Sequence, residues 1–332
     1  MKKINLIFLL PVFMLFACNE AGKQPTKEKK QTPKVKVEVP SFNSDSAYAW
    51  IEKQVAFGPR VPNSDAHKAC ASWLVDKLGE FTDTAFIQSF KTRAFDGTVL
   101  NGKNIIGVFN PGISNRILLC AHWDTRPFAD HDPDEANHRT AIDGANDGGS
   151  GVGVLLEAAR QFSMKDPGLG VDIIFFDTED YGPPQDSQQR GEGDWWGLGS
   201  QYWAGNPHTM NYFASFGILL DMVGAKDARF LMEGYSLMYA PGFVKKVWET
   251  ANRIGFGNYF VFEQGGYIED DHKYINEIRN IPTIDIIHLD PNSVNRSFFD
   301  HWHTVEDTMD KIGKPTLKAV GQTVITVVYE MK

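Results

Sequence analysis

The chain has 332 residues, 42% of them hydrophobic and 23% charged, which excludes a disordered, collagenous or disulfide-scaffold protein. The formal net charge is −9, which argues against a nucleic-acid partner. It is split unevenly: residues 1–41 hold eight Lys and three Glu, or +5, leaving −14 on a body that suits a cationic ligand such as a metal ion or an amine.

Met1-Lys2-Lys3 precede a nearly unbroken apolar run from Ile4 to Ala17. That run is too short to span a bilayer and has the basic and apolar regions of a secretory signal. Leu15-Phe16-Ala17-Cys18 resembles a bacterial lipobox, in which Cys18 would carry the lipid. The expected organisation is a lipoprotein signal over 1–17, a flexible tether over 18–41 and a folded catalytic domain over 42–332. The tether is Lys, Glu, Gln, Thr and Pro with too little apolar surface to fold. The expected location is periplasmic, lipid-anchored to the inner or outer membrane.

Helical spacing runs over Ser44–Ala56 and again over Ser64–Gly79, with Ser64 as N-cap and Gly79 just past the end. Residues 84–95 and 103–109 read as strands around a Gly97 turn and a loop at Asn101-Gly102. Strand and helix then alternate. Strands are expected at Arg116–Ala121, Val171–Phe176, Phe216–Leu220 and Thr283–His288. Helices are expected at Ser150–Phe162, from Ser200, at Gly242–Ile254 and at Pro315–Glu330. Continuous apolar strands between helices predict one α/β domain, a mostly parallel, twisted central sheet flanked by helices. Cys70 and Cys120 read as two buried free thiols. Connections at 123–149, 177–199 and 289–312 are long enough to be functional.

Three apolar strands run straight into polar residues of one kind. Residues 117–121 lead to His122 and Asp124, residues 173–176 to Asp177, Glu179 and Asp180, and residues 218–220 to Asp221. Ligands bind outside the carboxyl ends of parallel strands, and acids crowded there repel one another unless a cation sits among them. A metal site is the economical explanation. Asp124, two residues beyond His122, can orient it. Asp147 lies on a Gly-rich turn, Asp143–Gly151, that lacks the Lys of a phosphate-binding loop. Glu179 and Asp180 face different directions, so one can hold a metal while the other acts as a base. His303 and Trp302 follow late in the chain as a ligand and a pocket wall. The run Asp130–Glu135 lacks the Gly and terminal Glu of an EF-hand and reads as a solvated lid.

The segments Ala121-His122-Trp123-Asp124, Gly144–Gly151, Phe175–Asp180, Leu220–Gly224 and Trp302-His303-Thr304 resemble the zinc aminopeptidase family M28 over residues 45–330. Within it, Leu219–Ala225, Glu269–His272 and Asp300–Thr304 resemble the type II glutaminyl cyclases of the bacterial lipoprotein kind. The resemblance implies that Asp147, Asp180 and His303 would hold one Zn²⁺ with Glu179 as general acid/base. Asp221 and Asp270 would form a proton-sharing carboxyl pair, and Trp302 with one of Tyr181, Trp195 or Trp196 would line the pocket. It implies a zinc-dependent glutaminyl-peptide cyclotransferase acting on N-terminal Gln of peptides or secreted proteins; a monomer with no nucleic-acid partner is expected. The alternative is a two-zinc M28 aminopeptidase in which His122 and Asp221, with Asp147 bridging, hold a second ion. A non-catalytic binding lipoprotein has no use for Glu179 beside Asp180.

Overall fold

The protein is described from a computed structural model covering residues 37–187 and 193–331. The expected signal, Cys18 and most of the tether lie outside the described residues. The described residues form one compact unit.

Helix α1 (Ser44–Val55) is capped by Asn43, whose side chain accepts from the Asp45 and Ser46 amides. Ser64 caps α2 (Asp65–Gly79) in the same way through the His67 amide. Strands β1 (Thr84–Arg93) and β2 (Val99–Phe109) form a hairpin. The expected loop at Asn101-Gly102 is instead part of β2. The Phe90 ring lies over Gly102, where a Cβ would come within 2.1 Å of it, so the glycine admits the ring and does not break the strand.

Strands β3 (Arg116–His122), β4 (Gly170–Phe176), β5 (Gly217–Asp221) and β8 (Thr283–Ile287) complete a six-stranded sheet in the order β1-β2-β4-β3-β5-β8. The last four strands are parallel, while β1 and β2 run antiparallel. The sheet is therefore mixed, with a parallel centre. Two short strands, β6 (Phe230–Met232) and β7 (Phe260–Gln264), pair separately.

Both faces of the sheet are covered, which is why its central strands are apolar throughout. Ile117, Leu119 and Ala121 join one core with α1, α2, α3 (Gly149–Met164), α6 (Pro241–Arg253) and α8 (Lys314–Tyr329). Leu118 and Cys120 point the other way, into a smaller core with Trp203 of α4 (Leu198–Gly205) and Ile275. Helix α5 (Gly234–Tyr239) and helix α7 (Asp271–Tyr274), which runs into a π-turn over Ile275–Arg279, escape the sequence pattern because each is too short to show a period. Cys70 and Cys120 are free and buried. Among the described residues no helix is long and apolar enough to cross a membrane.

Candidate active site

Parallel register brings the carboxyl ends of β3, β4 and β5 to one edge. His122 pairs with Phe176 and Cys120 with Leu219, so the residues that follow these strands converge. His122 closes β3, Glu179 and Asp180 follow β4, and Asp221 closes β5. The Gly-rich turn delivers Asp147 from the start of α3. Gly148 has φ 85°, and a Cβ there would sit 2.5 Å from the Asp124 carbonyl and 3.0 Å from the His122 ring. Only glycine lets the turn approach β3 this closely.

Two buried carboxylates hold the metal-facing segments by their backbones. Asp124 accepts from the Glu179 amide (3.1 Å) and the Asp180 amide (3.2 Å). Asp307 accepts from the Asn146 and Asp147 amides, both at 2.9 Å. Arg60, fully buried, donates to the carbonyls of Asp143 and Gly144 and pins the other side of the turn.

His303 Nε2 lies 3.2 Å from Asp180 Oδ1 and 3.5 Å from Asp147 Oδ2. Ligands at about 2.0–2.2 Å from a tetrahedral zinc stand about 3.3–3.5 Å apart, so the separations match. Asp180 Oδ2 is buried with no hydrogen-bond partner. Two carboxylates and one imidazole, with one position left for water or substrate, form the donor set of a catalytic zinc. These residues therefore fit zinc. The other Asp147 oxygen, Oδ1, lies 3.1 Å from His122 Nε2, which is also 3.2 Å from Asp221 Oδ1. His122, Asp147 and Asp221 thus form a second set of three, sharing Asp147.

Burial dominates the titration of this edge. It pushes Glu179 well above the usual carboxylate range, helped by Asp180, Asp270 and Asp271 and opposed by His122. Burial likewise takes Asp221 up to about 7, with Asp147 and Asp270 adding to it. Asp307, buried beside Asp147, is pushed up to about 8. Burial alone would lower His122, but the carboxylates of Asp124, Asp147 and Asp221 beside it outweigh that and raise its pKa well above the ordinary value.

The site opens into a cavity of about 290 Å³ lined by Asp147, Glu179, Asp180, Asp221, Asp270 and His303, with Trp196, Phe298 and Trp302 as walls. Residues 104–328 match the profile of Peptidase family M28. The chain belongs to peptidase family M28. Among solved structures it is similar to a Zn-dependent exopeptidase from Parabacteroides distasonis, with 54% identity, 88% of this chain and 99% of that one covered and a TM-score of 0.86. It is equally similar to Tannerella forsythia glutaminyl cyclase, with 53% identity, 88% and 100% coverage and a TM-score of 0.86. Among curated proteins it is 29% identical over 254 residues to aminopeptidase YwaD of Bacillus subtilis (strain 168), covering 73% of this chain. The chain spans 47% of that aminopeptidase's length and 65% of the glutaminyl-peptide cyclotransferase of Bothrops jararaca, which it matches at 25% identity over 68% of its own length.

Within this M28 site the three aromatic candidates of the 181–196 loop separate. Trp196 stacks toward His303, with ring centroids 6.4 Å apart, and lines the cavity with Trp302, whose ring lies 3.9 Å from that of His303. Trp195 lines only an adjoining outer recess. Tyr181 packs against Phe95 and Phe128 and does not line the cavity, because its segment turns toward the β1–β2 hairpin.

Asp130–Glu135 is only in part the solvated lid expected from its charge: Pro133, Asp134 and Glu135 are exposed, but the first half of the run is not. Asp130 and Asp132 are 5% and 6% exposed. Asp132 accepts from the Asp134 and Val305 amides. Asp130 is bound by Arg126 at 2.7 and 2.8 Å and stands 3.6 Å from His303 Nδ1, where a carboxylate orients a metal-binding imidazole. Arg126 also lies 3.5 Å from Asp180 Oδ1 and 5.0 Å from the Trp196 ring. Arg60, Arg126, Asp130 and Asp307 were not expected from the sequence. An Arg followed by an Asp four residues on was the one available signal.

Proposed function

We propose that this protein is a zinc-dependent glutaminyl-peptide cyclotransferase with one zinc held by Asp147, Asp180 and His303. The observation that carries the reading is Glu179 beside that donor set at the floor of a small, tryptophan-walled cavity, in a chain similar over almost its whole folded length to bacterial glutaminyl cyclases. An N-terminal Gln brings its own nucleophile, the α-amine, so no activated water is required. When bound, the zinc supplies a Lewis acid that polarises the side-chain amide carbonyl.

Glu179 accepts the proton released as the amine nitrogen bonds to the amide carbon. It returns that proton to the leaving nitrogen as the old C–N bond breaks, so ammonia departs and a five-membered lactam remains. The α-amine titrates near about 7.7–8.0, so much of the substrate arrives as a cation, which the acidic body attracts, and the fraction that has released its proton to solvent supplies the nucleophile. Asp221 and Asp270 flank Glu179 and share a proton, since two close carboxylates do not both ionise cheaply. Trp196, Trp302 and Phe298 exclude bulk water from the reacting carbonyl.

The decisive assay incubates purified protein and zinc with a Gln-initiated peptide and follows its mass. Loss of one ammonia is expected, and an unchanged mass refutes the reading. The paired position of Asp147 between His122 and His303 favours a second reading, a two-zinc aminopeptidase. Two zincs per chain, with free amino acid released from a Leu-initiated peptide, would select it.

The N-terminal features support export as a lipoprotein anchored through Cys18 to a bacterial membrane and facing the periplasm, the domain working as a monomer on secreted peptides. Cys18→Ala is expected to move the protein from the membrane fraction to the soluble fraction.

A further inference from the structure

Behind Asp270 lies a second layer of buried titratable groups that the reaction above leaves unused. Asp285 sits in the middle of β8 and is fully buried. Its backbone amide donates to Ser236 Oγ (2.8 Å), but neither carboxyl oxygen meets a protein donor. Asp270 faces it. Asp270 Oδ1 accepts from the Asp271 amide, and Oδ2 has no donor. His272 completes a set whose polar atoms fall within 4.8 Å of one another, with Nδ1 4.0 Å from Asp285 Oδ2.

The proton inventory of this layer follows from its far end. His272 Nε2 lies 3.0 Å from Glu233 Oε2. Glu233 also accepts from the amides of Tyr235, Ser236 and Ile268. Burial opposes its ionisation, but these donors and His272 bring it down to about 2, so it accepts only. Nε2 therefore donates to Glu233, and Nδ1, 4.0 Å from Asp285 Oδ2, is out of hydrogen-bond reach of it. What remains is both Asp285 oxygens and Asp270 Oδ2, three buried carboxyl oxygens with no hydrogen-bond partner. The titratable groups acting on Asp285 from the surrounding elements include Asp270 and His272 of the α7 segment, Asp221 of β5, Glu233 ahead of α5 and Cys120 of β3. Burial first, then these acids, push Asp285 well above the carboxylate range.

We propose that Asp285 is a positioning residue, a neutral carboxylic acid whose O–H donates to Asp270 Oδ2 from behind the cavity wall. The proton satisfies both carboxyls at once and fixes Asp270 in direction as the anionic member of the Asp221–Asp270 pair, whose shared proton then rests on Asp221. This assignment rests on the cyclotransferase reading for its catalytic consequence but not for the proton itself.

The test compares Asp285→Asn with Asp285→Leu in the zinc-loaded protein. An amide donates as the acid does, so Asp285→Asn should keep kcat within about threefold. Asp285→Leu leaves Asp270 without its donor and should lower kcat about 10- to 100-fold with KM little changed. The working form of Asp285 is protonated, so wild-type activity falls as pH rises through its folded pKa. Asp285→Asn cannot ionise and should lose that alkaline limb. Melting temperature against pH reads the same proton without turnover. A carboxyl raised on folding stabilises fully below its unfolded pKa, and that contribution is lost as pH rises through the folded value, so Asp285→Asn should flatten the alkaline side of the curve. If wild type fails to cyclise Gln peptides, the function reading fails while this curve still tests the proton. Equal impairment in both variants, unchanged pH curves in Asp285→Asn, or one fewer metal ion in Asp285→Asn would each overturn the proposal. If Asp285→Leu does not fold, the two pH curves of Asp285→Asn decide.

Discussion

Asp124 offers the sharpest test of how the active edge is held. It touches neither cavity nor substrate, yet its two oxygens accept the amides of Glu179 and Asp180 at 3.1 and 3.2 Å. The segment it holds begins at Thr178, a non-glycine residue at φ 57°, a conformation that costs about 1–2 kcal/mol by itself. Asp124→Asn keeps one acceptor and places an NH₂ against the other amide. A hydrogen bond to a charged, buried group contributes about 1.5–3 kcal/mol, so the variant should lose about that much stability. For a domain of this size that is a fall of about 3–6 °C in melting temperature. Because Asp180 then loses its fixed direction, zinc affinity should fall about 10- to 100-fold, as when partners of metal ligands are removed elsewhere. Thermal melts with and without a chelator read the first effect, and competition with a zinc indicator reads the second. A variant that melts and binds zinc like wild type would refute the claim that Asp124 positions the site.

Glu179→Gln should reduce kcat about 10²- to 10⁴-fold while zinc content stays the same, since Glu179 is not a donor to the ion; metal analysis beside the mass assay checks both. Glu233→Gln should destabilise by about 3 kcal/mol at neutral pH, because its carboxylate is held at about 2. That contribution is present above the unfolded pKa and lost as pH falls through about 2, so melts of wild type and variant should converge in acid. Gly151→Ala should cost about 1–3 kcal/mol or more. Its Cβ would come within 2.2 Å of the Leu220 carbonyl and 2.8 Å of Ala121 Cβ, and a reduced denaturation midpoint would report it.

The strand ends were legible because burial on both faces leaves an apolar run that any charge interrupts. His122, Glu179, Asp180 and Asp221 announce themselves in this way, and His303 and Trp302 stand out in a loop too long to be a plain connection. Gly102 misled because a glycine between polar residues resembles a turn, whereas its reason is the Phe90 ring across the hairpin. Asp130 and Asp132 misled because charge density implies exposure, and here Arg126 and the Val305 amide neutralise or satisfy them. The aromatic wall stayed ambiguous among Tyr181, Trp195 and Trp196, which share one loop and one chemistry.

By itself the sequence determined the order of the main-sheet strands and the long helices, the convergence of acids and imidazoles at one sheet edge, and the family to which they belong. Those properties follow from local period and from motifs a few residues long. The tertiary structure decided which groups meet across large separations: Asp307 with the amides of residues 146 and 147, Arg126 with Asp180 and Trp196, and Asp285 with Asp270. A buried charge or a shared proton depends on the partner within a few ångströms, and no periodicity along the chain records that partner.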